Sequence, residues 1–254
     1  MFDRVIVASD DSHFLAFWPL VAKAWKKFFD VRVTLAFVSD EIPEYRLFEL
    51  SKHGEVVRMQ PNTGAPLANQ AKLARFHLAA HKYSDEVVMI EDIDTLPLQR
   101  KYFEEVTSKR PAGKMLMVGH EVYLEPSLAG KCPVSTMTAE QSVFAELLNP
   151  EGIEFRHWVA SFKGWKKCDK REDPFKIPTD FSDESLLRAV LINKDAKIHK
   201  ERRRIDPKND WVDRSKWKMD KTKLFSGGYV CANLKRPLEK DHPDVKLIEE
   251  YIGS

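Results

Sequence analysis

The residues best suited to carry out chemistry are two aspartates that directly follow a short apolar segment. Glu86 to Ile90 predicts a buried strand, and the chain continues with Glu91-Asp92-Ile93-Asp94. Ligands of α/β sheets gather at the carboxyl ends of parallel strands, which is where these aspartates would lie. Their carboxylates can converge on one hard divalent cation, since Mg²⁺ or Mn²⁺ suits oxygen ligands and leaves positions open for phosphate oxygens. We therefore predict a metal site at Asp92 and Asp94, with a solvated acidic loop as the alternative.

The elements around this motif alternate between two hydrophobic periods. Strands are predicted at Arg4–Ala8, Val31–Val38, Glu55–Met59, Glu86–Ile90 and Lys114–Gly119. Helices are predicted at Phe17–Phe29, Leu67–Tyr83 and Gln99–Ser108. This alternation is typical of a mainly parallel central sheet flanked by helices on both faces. The fold class is therefore α/β and Rossmann-like, although neither a dinucleotide fingerprint nor a P-loop is present.

The stretch from Lys72 to Leu98 resembles the centre of a GT-A-fold glycosyltransferase. In that superfamily a helix carrying basic residues precedes a strand that ends in DxD, and the motif binds Mn²⁺ or Mg²⁺ bridging the diphosphate of a nucleotide-sugar. The resemblance implies Asp92 and Asp94 at the metal, and Lys72 and Arg75 near the diphosphate or the sugar. An exposed helix face is the alternative for the two basic residues.

The first strand ends in a polar cluster that fits the same resemblance. Ser9, Asp10 and Asp11 lie where GT-A enzymes hold the nucleoside, and a carboxylate there can accept hydrogen bonds from a base N–H or from ribose hydroxyls. The alternative is an ordinary turn between strand and helix, with aspartate as the helix cap.

Two acids open a later predicted helix, Ser182–Ile192. Asp183 and Glu184 resemble the segment of GT-A enzymes that faces the donor sugar and the acceptor, so either could be the general base that deprotonates an acceptor hydroxyl. The alternative is structural, because acids in a first helical turn are favoured by the helix dipole and Ser182 is a good cap.

A histidine near the end of the chain is the candidate for a further metal ligand. His242 occupies that place by position, although the surrounding Asp241-His242-Pro243-Asp244 does not match the usual motif. A surface histidine that caps the last helix is the alternative. The other histidines that we considered are interpreted as structural: His77, His81, His120, His157 and His199.

The second half of the chain has a looser pattern. Helices are predicted at Thr138–Leu148, Phe155–Phe162, Ser182–Ile192 and Pro243–Ile252. Thr138 and Gln141 fit a capping box, in which the two side chains satisfy each other's backbone amides. We predict a single GT-A-like domain over 1–254, with a nucleotide-binding α/β half at 1–120 and a helical, loop-rich acceptor-side half at 121–254.

A basic segment runs from Lys197 to Lys223, with eleven basic residues against five acids and with Trp211 and Trp217 between them. Such a segment could cover a diphosphate and stack on sugar rings as an active-site flap, or it could contact RNA. A solvated loop is the third interpretation. We favour the flap, because the whole chain is close to neutral.

Composition limits the class of protein. The 254 residues contain 41 Lys plus Arg and 39 Asp plus Glu, so nucleic acid is not expected as the main partner. No segment approaches the roughly 20 apolar residues of a membrane span, and no signal peptide is evident. Cys132, Cys168 and Cys231 are far apart, so we interpret them as buried thiols of a reducing compartment and expect a cytoplasmic protein.

The hypothesis is a metal-dependent hexosyl- or pentosyltransferase. It would move a sugar from a nucleoside-diphosphate sugar to a hydroxyl of a glycan or glycoprotein, with Mn²⁺ or Mg²⁺ as cofactor. Asp92-Ile93-Asp94-Thr95 also spells DxDxT, the nucleophile loop of haloacid-dehalogenase-like phosphatases, but that motif normally ends the first strand of its fold. A nucleotidyltransferase on a related fold and a non-enzymatic RNA- or protein-binding module using residues 197–223 are further alternatives.

Overall fold

The fold is given by a computed structural model, which describes residues 1–124, 131–162, 183–191, 193–203, 210–214 and 217–253. Its strands are β1 Arg4–Ser9, β2 Arg32–Val38, β3 Glu55–Met59, β4 Val87–Ile90, β5 Thr95–Pro97, β6 Met115–Val118, β7 Met137–Glu140, β8 Ile198–Glu201, β9 Trp211–Val212 and β10 Cys231–Asn233. Its α-helices are α1 Trp18–Phe29, α2 Glu44–Ser51, α3 Leu67–His81, α4 Arg100–Thr107, α5 Gln141–Leu148, α6 Phe155–Ser161, α7 Asp183–Leu191, α8 Lys221–Phe225 and α9 Pro243–Gly253. The predicted α/β class is confirmed.

The larger sheet has the order β3-β2-β1-β4-β7-β6-β8. Neighbours from β3 to β4 are parallel, β7 is antiparallel to both β4 and β6, and β8 is parallel to β6. The chain therefore moves to one side of β1 for β2 and β3 and returns to the other side for β4. Such a change of direction opens a crevice at the carboxyl ends of the two central strands, where α/β proteins bind their ligands.

The central strands are apolar because both of their faces are covered. In β1, Val5 and Val7 join the core that contains Trp18 and Trp25 of α1. Ile6, between them in sequence, points the other way and joins the core under α3. Successive side chains of a strand alternate between faces. This run of apolar residues therefore packs against a helix layer on each side of the sheet.

A second, smaller sheet has the order β5-β10-β9. β10 is antiparallel to β5, with Asn233 opposite Thr95, and parallel to β9, with Ala232 opposite Val212. The residues that follow β9 and β10 therefore emerge beside the residue that precedes β5, which is Asp94. The sheet joins parts of the chain that are more than a hundred residues apart.

The predicted helix Thr138–Leu148 is wrong at its start. Residues Met137–Glu140 form β7, with Thr138 opposite Met89 on one side and Leu116 on the other. The capping box does not form, because α5 begins at Gln141 after Glu140, whose side chain makes no capping hydrogen bond. A β-branched threonine suits either role locally, and pairing with two neighbouring strands decides the outcome.

The remaining helix predictions hold within a residue or two where the structure describes them. Elements that the sequence analysis did not predict are the helices α2 and α8 and the strands β5, β8, β9 and β10. Ser182 and Ile192, at the two ends of one predicted helix, lie outside the described residues.

Candidate active site

A pocket of about 260 Å³ lies at the carboxyl ends of β1 and β4, where the strand order reverses. Its walls come from both strand ends, from α3, from α7 and from the residues that follow β9 and β10. Seven of the predicted site residues line it: Ser9, Asp10, Lys72, Arg75, Asp92, Asp94 and Glu184. The structure thus brings together groups that the sequence placed in four separate segments.

Asp92 is held by the buried arginine of α3. Arg75 Nη1 lies 2.6 Å from Asp92 Oδ1 and also donates to the carbonyl oxygen of Glu91, at 2.8 Å. Burial raises the pKa of the Asp92 carboxyl, but the charge and hydrogen bond of Arg75, together with two further arginines, outweigh this and hold the pKa below its ordinary value. Asp92 is therefore ionised while still about one third exposed to the pocket.

Asp94 is buried and meets two other arginines. Its Oδ2 accepts a hydrogen bond from Arg236 Nε at 2.7 Å. Arg236 Nη2 lies 2.5 Å and Arg214 Nη1 lies 3.2 Å from the same oxygen, as ion pairs. Burial and the charge of Asp92 raise the pKa of the Asp94 carboxyl in spite of these cations. Among the described residues, its Oδ1 has no hydrogen-bond partner.

The small sheet positions these two arginines. Arg214 follows β9 and Arg236 follows β10, two parallel strands whose ends meet at the start of β5. The backbone N–H of Leu234 donates to the carbonyl oxygen of Asp94 at 2.7 Å, which fixes the register. The sequence analysis missed Arg236, and Arg214 entered it only as one of the eleven basic residues of the segment Lys197 to Lys223. Nothing in the local spacing signals that Arg236 has a partner 142 residues away.

The carboxylates fit a hard divalent cation. Mg²⁺ is usually held by one or two carboxylates and completes its coordination with water and substrate phosphates, so Asp92 and Asp94 are sufficient. The open Oδ1 of Asp94 is an available ligand atom. No cluster of three or more acidic, histidine or cysteine side chains arranged for a metal occurs in the described part of the chain.

Of the three residues predicted to contact the nucleoside, two line the pocket and one does not. Ser9 and Asp10 are buried at the pocket, and Ser9 Oγ donates to the carbonyl oxygen of Asp10 at 2.9 Å. Asp11 does not line the pocket. It is exposed, and Arg46 of α2 forms a two-pronged ion pair with it.

The two acids predicted to face the acceptor, Asp183 and Glu184, are the first residues of α7. Glu184 lines the pocket, and its carboxylate lies 3.4 Å from Lys131 Nζ. Asp183 is the first residue of α7, and its side chain lies outside the described part of the structure.

His242 is not brought to the pocket. Its ring lies 5.6 Å from that of Trp217, and its Nδ1 accepts a hydrogen bond from the backbone N–H of Asp244 at 3.1 Å, at the start of α9. This geometry is that of a histidine capping the last helix.

The tryptophans of the basic segment pack on the small sheet. Trp211 Nε1 donates to Asn233 Oδ1 at 2.6 Å, and Trp217 Nε1 donates to the Asn233 carbonyl oxygen at 2.7 Å. They contact β10 and are not among the described residues that line the pocket, so stacking on sugar rings stays a prediction. Residues 204–209 and 215–216 of the segment lie outside the described residues.

Two of the three cysteines are described. Cys132 and Cys231 are free buried thiols, as predicted, and Cys168 lies outside the described residues. Within the described residues, no helix has both the length and the apolar composition that a membrane crossing needs.

The fold is similar to solved glycosyltransferase structures. An active-site mutant of LgtC gives a TM-score of 0.57 at 12% identity, covering 98% of this chain and 95% of that one. The galactosyltransferase LgtC in complex with donor and acceptor sugar analogs gives 0.53 at 12%, with the same coverage. The bifunctional glycosyltransferase WbbM in its apo form gives 0.53 at 11%, covering 99% of this chain and 49% of WbbM. The sequence matches no protein-family model and no curated protein.

The fold is therefore the GT-A fold of glycosyltransferases, as the resemblance in Lys72–Leu98 implied. At 11 to 12% identity the likeness concerns the fold. What the chain does is argued from the pocket and its residues.

Proposed function

We propose that this protein is a glycosyltransferase that moves a sugar from a nucleoside-diphosphate sugar to an acceptor hydroxyl. The observation that carries the proposal is the pocket at the carboxyl ends of β1 and β4, where the strand order reverses. Asp92 and Asp94 lie there among three arginines. Opposite charges gathered at such a strand end suit a diphosphate and its cation. The fold shared with LgtC and WbbM supports the same class.

The donor would lie across the ends of β1 and β4. Ser9 and Asp10 are the proposed partners of the nucleoside, since a buried carboxylate can accept hydrogen bonds from a base N–H or from ribose hydroxyls. Lys72, at the mouth of the pocket on α3, is the proposed partner of the diphosphate or sugar together with Arg75.

Asp92 and Asp94 would hold Mn²⁺ or Mg²⁺. A bound cation supplies positive charge that stabilises the departing diphosphate. Arg214 and Arg236 add fixed positive charge at the same place, because both already face Asp94. Preorganised cations in a partly desolvated site stabilise charge that develops in a transition state more than mobile solvent does.

Glu184 is the proposed base on the acceptor side. It faces the same pocket from α7, and a carboxylate there can take the proton of an attacking hydroxyl. The transferred group would be a hexose or pentose and the acceptor a glycan or glycoprotein. The buried free thiols of Cys132 and Cys231 support a reducing compartment such as the cytoplasm.

Calorimetric titration tests the proposal. Uridine and guanosine diphosphates are titrated into the protein with and without Mn²⁺. We expect one of them to bind in a Mn²⁺-dependent way and Asp92→Asn to weaken this binding at least tenfold. Asp11→Asn is the matched control, since it removes the same charge from an exposed position outside the pocket.

Two results would contradict the proposal. One is an absence of nucleotide binding with either base, and the other is an affinity that Asp92→Asn leaves unchanged. Formation of a base-labile phosphoenzyme from an aryl phosphate and Mg²⁺ would instead assign Asp92 as the nucleophile of a phosphatase.

A further inference from the structure

A second cavity, of about 180 Å³, lies next to the first, and residues 131–134 and α7 contribute to the walls of both. It is formed by Met117 of β6, by Ile198 and Lys200 of β8, by residues 131–133 and by α7. β6 and β8 run parallel to each other, and both run in the direction of β4, because β7 is antiparallel to β4 and to β6.

The charges that line this cavity are mainly positive. Among the described residues, Lys131, Arg188 and Lys200 face it with a single acid, Asp195, and with His120. Lys200 Nζ lies 2.8 Å from Asp195 Oδ1, so the charges of these two side chains neutralise each other. His120 Nδ1 donates to the carbonyl oxygen of Glu201 at 3.2 Å, which leaves Nε2 as its remaining polar atom.

Arg188 differs from the other two cations of this cavity. Its side chain is half-buried on α7, and within the described part of the chain it makes no hydrogen bond or ion pair. A guanidinium keeps its charge in proteins and presents a fork of N–H donors that matches a carboxylate or a phosphate. The charge of Arg188 acts on Asp195, but that carboxylate is paired with Lys200. A half-buried cation that faces a cavity and makes no ion pair among the described residues is therefore suited to an anionic ligand.

The second cavity shares a wall with the first. Lys131 lines the second cavity, and its Nζ lies 3.4 Å from the carboxylate of Glu184, which lines the first. Cys132 Sγ lies 3.5 Å from the backbone carbonyl oxygen of Glu184. A ligand that fills the second cavity would therefore lie next to the proposed base.

We propose that the second cavity binds an oxyanion, a carboxylate or a phosphate monoester, carried by the acceptor sugar. The acceptor assignment rests on the proposed function, whereas anion binding by Arg188 and Lys200 rests on the cavity alone. An anion here also competes with Glu184 for Lys131. Binding of a charged acceptor thereby releases the Glu184 carboxylate from that pair at the moment when a hydroxyl arrives.

Binding of three related sugars at low ionic strength tests the proposal. Glucose 6-phosphate, glucuronate and glucose are titrated into the protein alone and into the protein with nucleoside diphosphate and Mn²⁺ added. We expect at least one anionic sugar to bind ten times or more tightly than glucose. Comparing the affinities for glucose 6-phosphate and glucuronate identifies which oxyanion the cavity binds.

Variants assign the binding to the cavity. Arg188→Gln should weaken the anionic sugar about ten- to a hundredfold, since hydrogen bonds to a charged group are the strong ones. Lys200→Gln, on the opposite wall, should weaken it less, because Lys200 is shared with Asp195. Arg100→Gln on α4 is the matched control, an exposed helical arginine remote from the cavity.

The outcomes separate this proposal from the proposed function. Equal affinity for the three sugars, no effect of Arg188→Gln, or displacement of the anionic sugar by nucleoside diphosphate would each overturn the anion site. A protein that binds the anionic sugar through Arg188 but binds no nucleoside diphosphate would keep the site and contradict the proposed function. Thermal unfolding of each variant shows whether it is folded.

Discussion

The two cavities are neighbours, with residues 131–134 and α7 in the walls of both, but they are charged differently. In the described part of the chain, the first is lined by four basic residues, Lys72, Arg75, Arg214 and Arg236, and by four acidic ones, Asp10, Asp92, Asp94 and Glu184. On the same basis, the second is lined by three basic residues and one acid. In the first cavity each of the three arginines contacts a carboxylate, and in the second Arg188 contacts none among the described residues.

This difference in pairing predicts a difference in selectivity. An anion entering the first cavity meets cations that are already shared with aspartates, so the site favours a ligand that brings its own divalent cation. An anion entering the second cavity meets a guanidinium that makes no ion pair with any residue that the structure describes. The first cavity therefore suits a diphosphate with its metal, and the second suits a single oxyanion.

The largest expected effect concerns the wall between the cavities. Glu184→Gln should lower the transfer rate by roughly 10² to 10⁴, the usual range for removing a positioned base, while the affinity for nucleoside diphosphate stays within about threefold. Steady-state rates and calorimetry measure the two effects. Lys131→Gln is the companion variant, which removes the ion pair but keeps the carboxylate. An inverting enzyme that stays fully active as Glu184→Gln would show that the base lies elsewhere.

A buried histidine on α3 provides a contrast with the charged Arg75 of the same helix. Arg75 faces Asp92, whereas His77, two residues further on, faces α6 and donates to the Ile153 carbonyl oxygen at 2.9 Å. Burial lowers the pKa of His77 from 6.5 to about 4. Between these values the unfolded chain binds more protons than the folded one, so the free energy of unfolding rises with pH across this window.

We expect His77 to contribute about 3 kcal/mol of stability above pH 6.5, lost as the pH falls to 4. Urea unfolding at several pH values measures it, as the difference in slope between the wild type and His77→Gln. His157→Gln is the control, because the His157 side chain is 61% exposed. Equal slopes for the wild type and His77→Gln between pH 4 and 6.5 would contradict the assignment.

A third prediction compares the two arginines on Asp94. Arg236 makes two close contacts with Oδ2 and Arg214 makes one longer contact. We expect Arg236→Gln to weaken nucleoside diphosphate binding about ten- to a hundredfold, and Arg214→Gln to weaken it less. Titration in the presence of Mn²⁺ measures both, with Arg100→Gln as control. Tighter binding by Arg236→Gln would mean that the arginine competes with the metal instead of assisting it.

The smallest effect is expected where the structure separates a predicted residue from the pocket. His242→Ala and Asp11→Asn should each change the affinity for nucleoside diphosphate and Mn²⁺ by less than about twofold. The same titration measures this. A tenfold loss in His242→Ala would show that residues around α9 move towards the pocket when the donor binds.

Local sequence was sufficient for the carboxylates and for Arg75. A buried strand, the acidic motif after it and the helix before it are neighbours in the chain, so their spacing carries the information. The arginines on Asp94 could not be predicted in this way. They depend on the pairing of β5, β9 and β10, strands of two or three residues that are too short to show a period.

Thr138 and His242 show a second limit. Each has a residue type that suits two roles, and the tertiary structure decides between them. Thr138 lies in β7 between two strands instead of capping a helix, and His242 lies against Trp217 and Asp244 instead of at the carboxylates. Position along the chain did not distinguish these roles.

The acidic motif is a link between two sheets. Asp92 follows β4 of the large sheet, and Asp94 precedes β5 of the small one, with Ile93 alone between them. The separation of the two carboxylates therefore follows from how one sheet is docked on the other. A graft of residues 87–98 into another α/β protein would transplant the aspartates without the arginines or the docking that spaces them. A portable version of this site needs three pieces of chain: the motif, Arg75 with its helix, and the segment that carries β9 and β10.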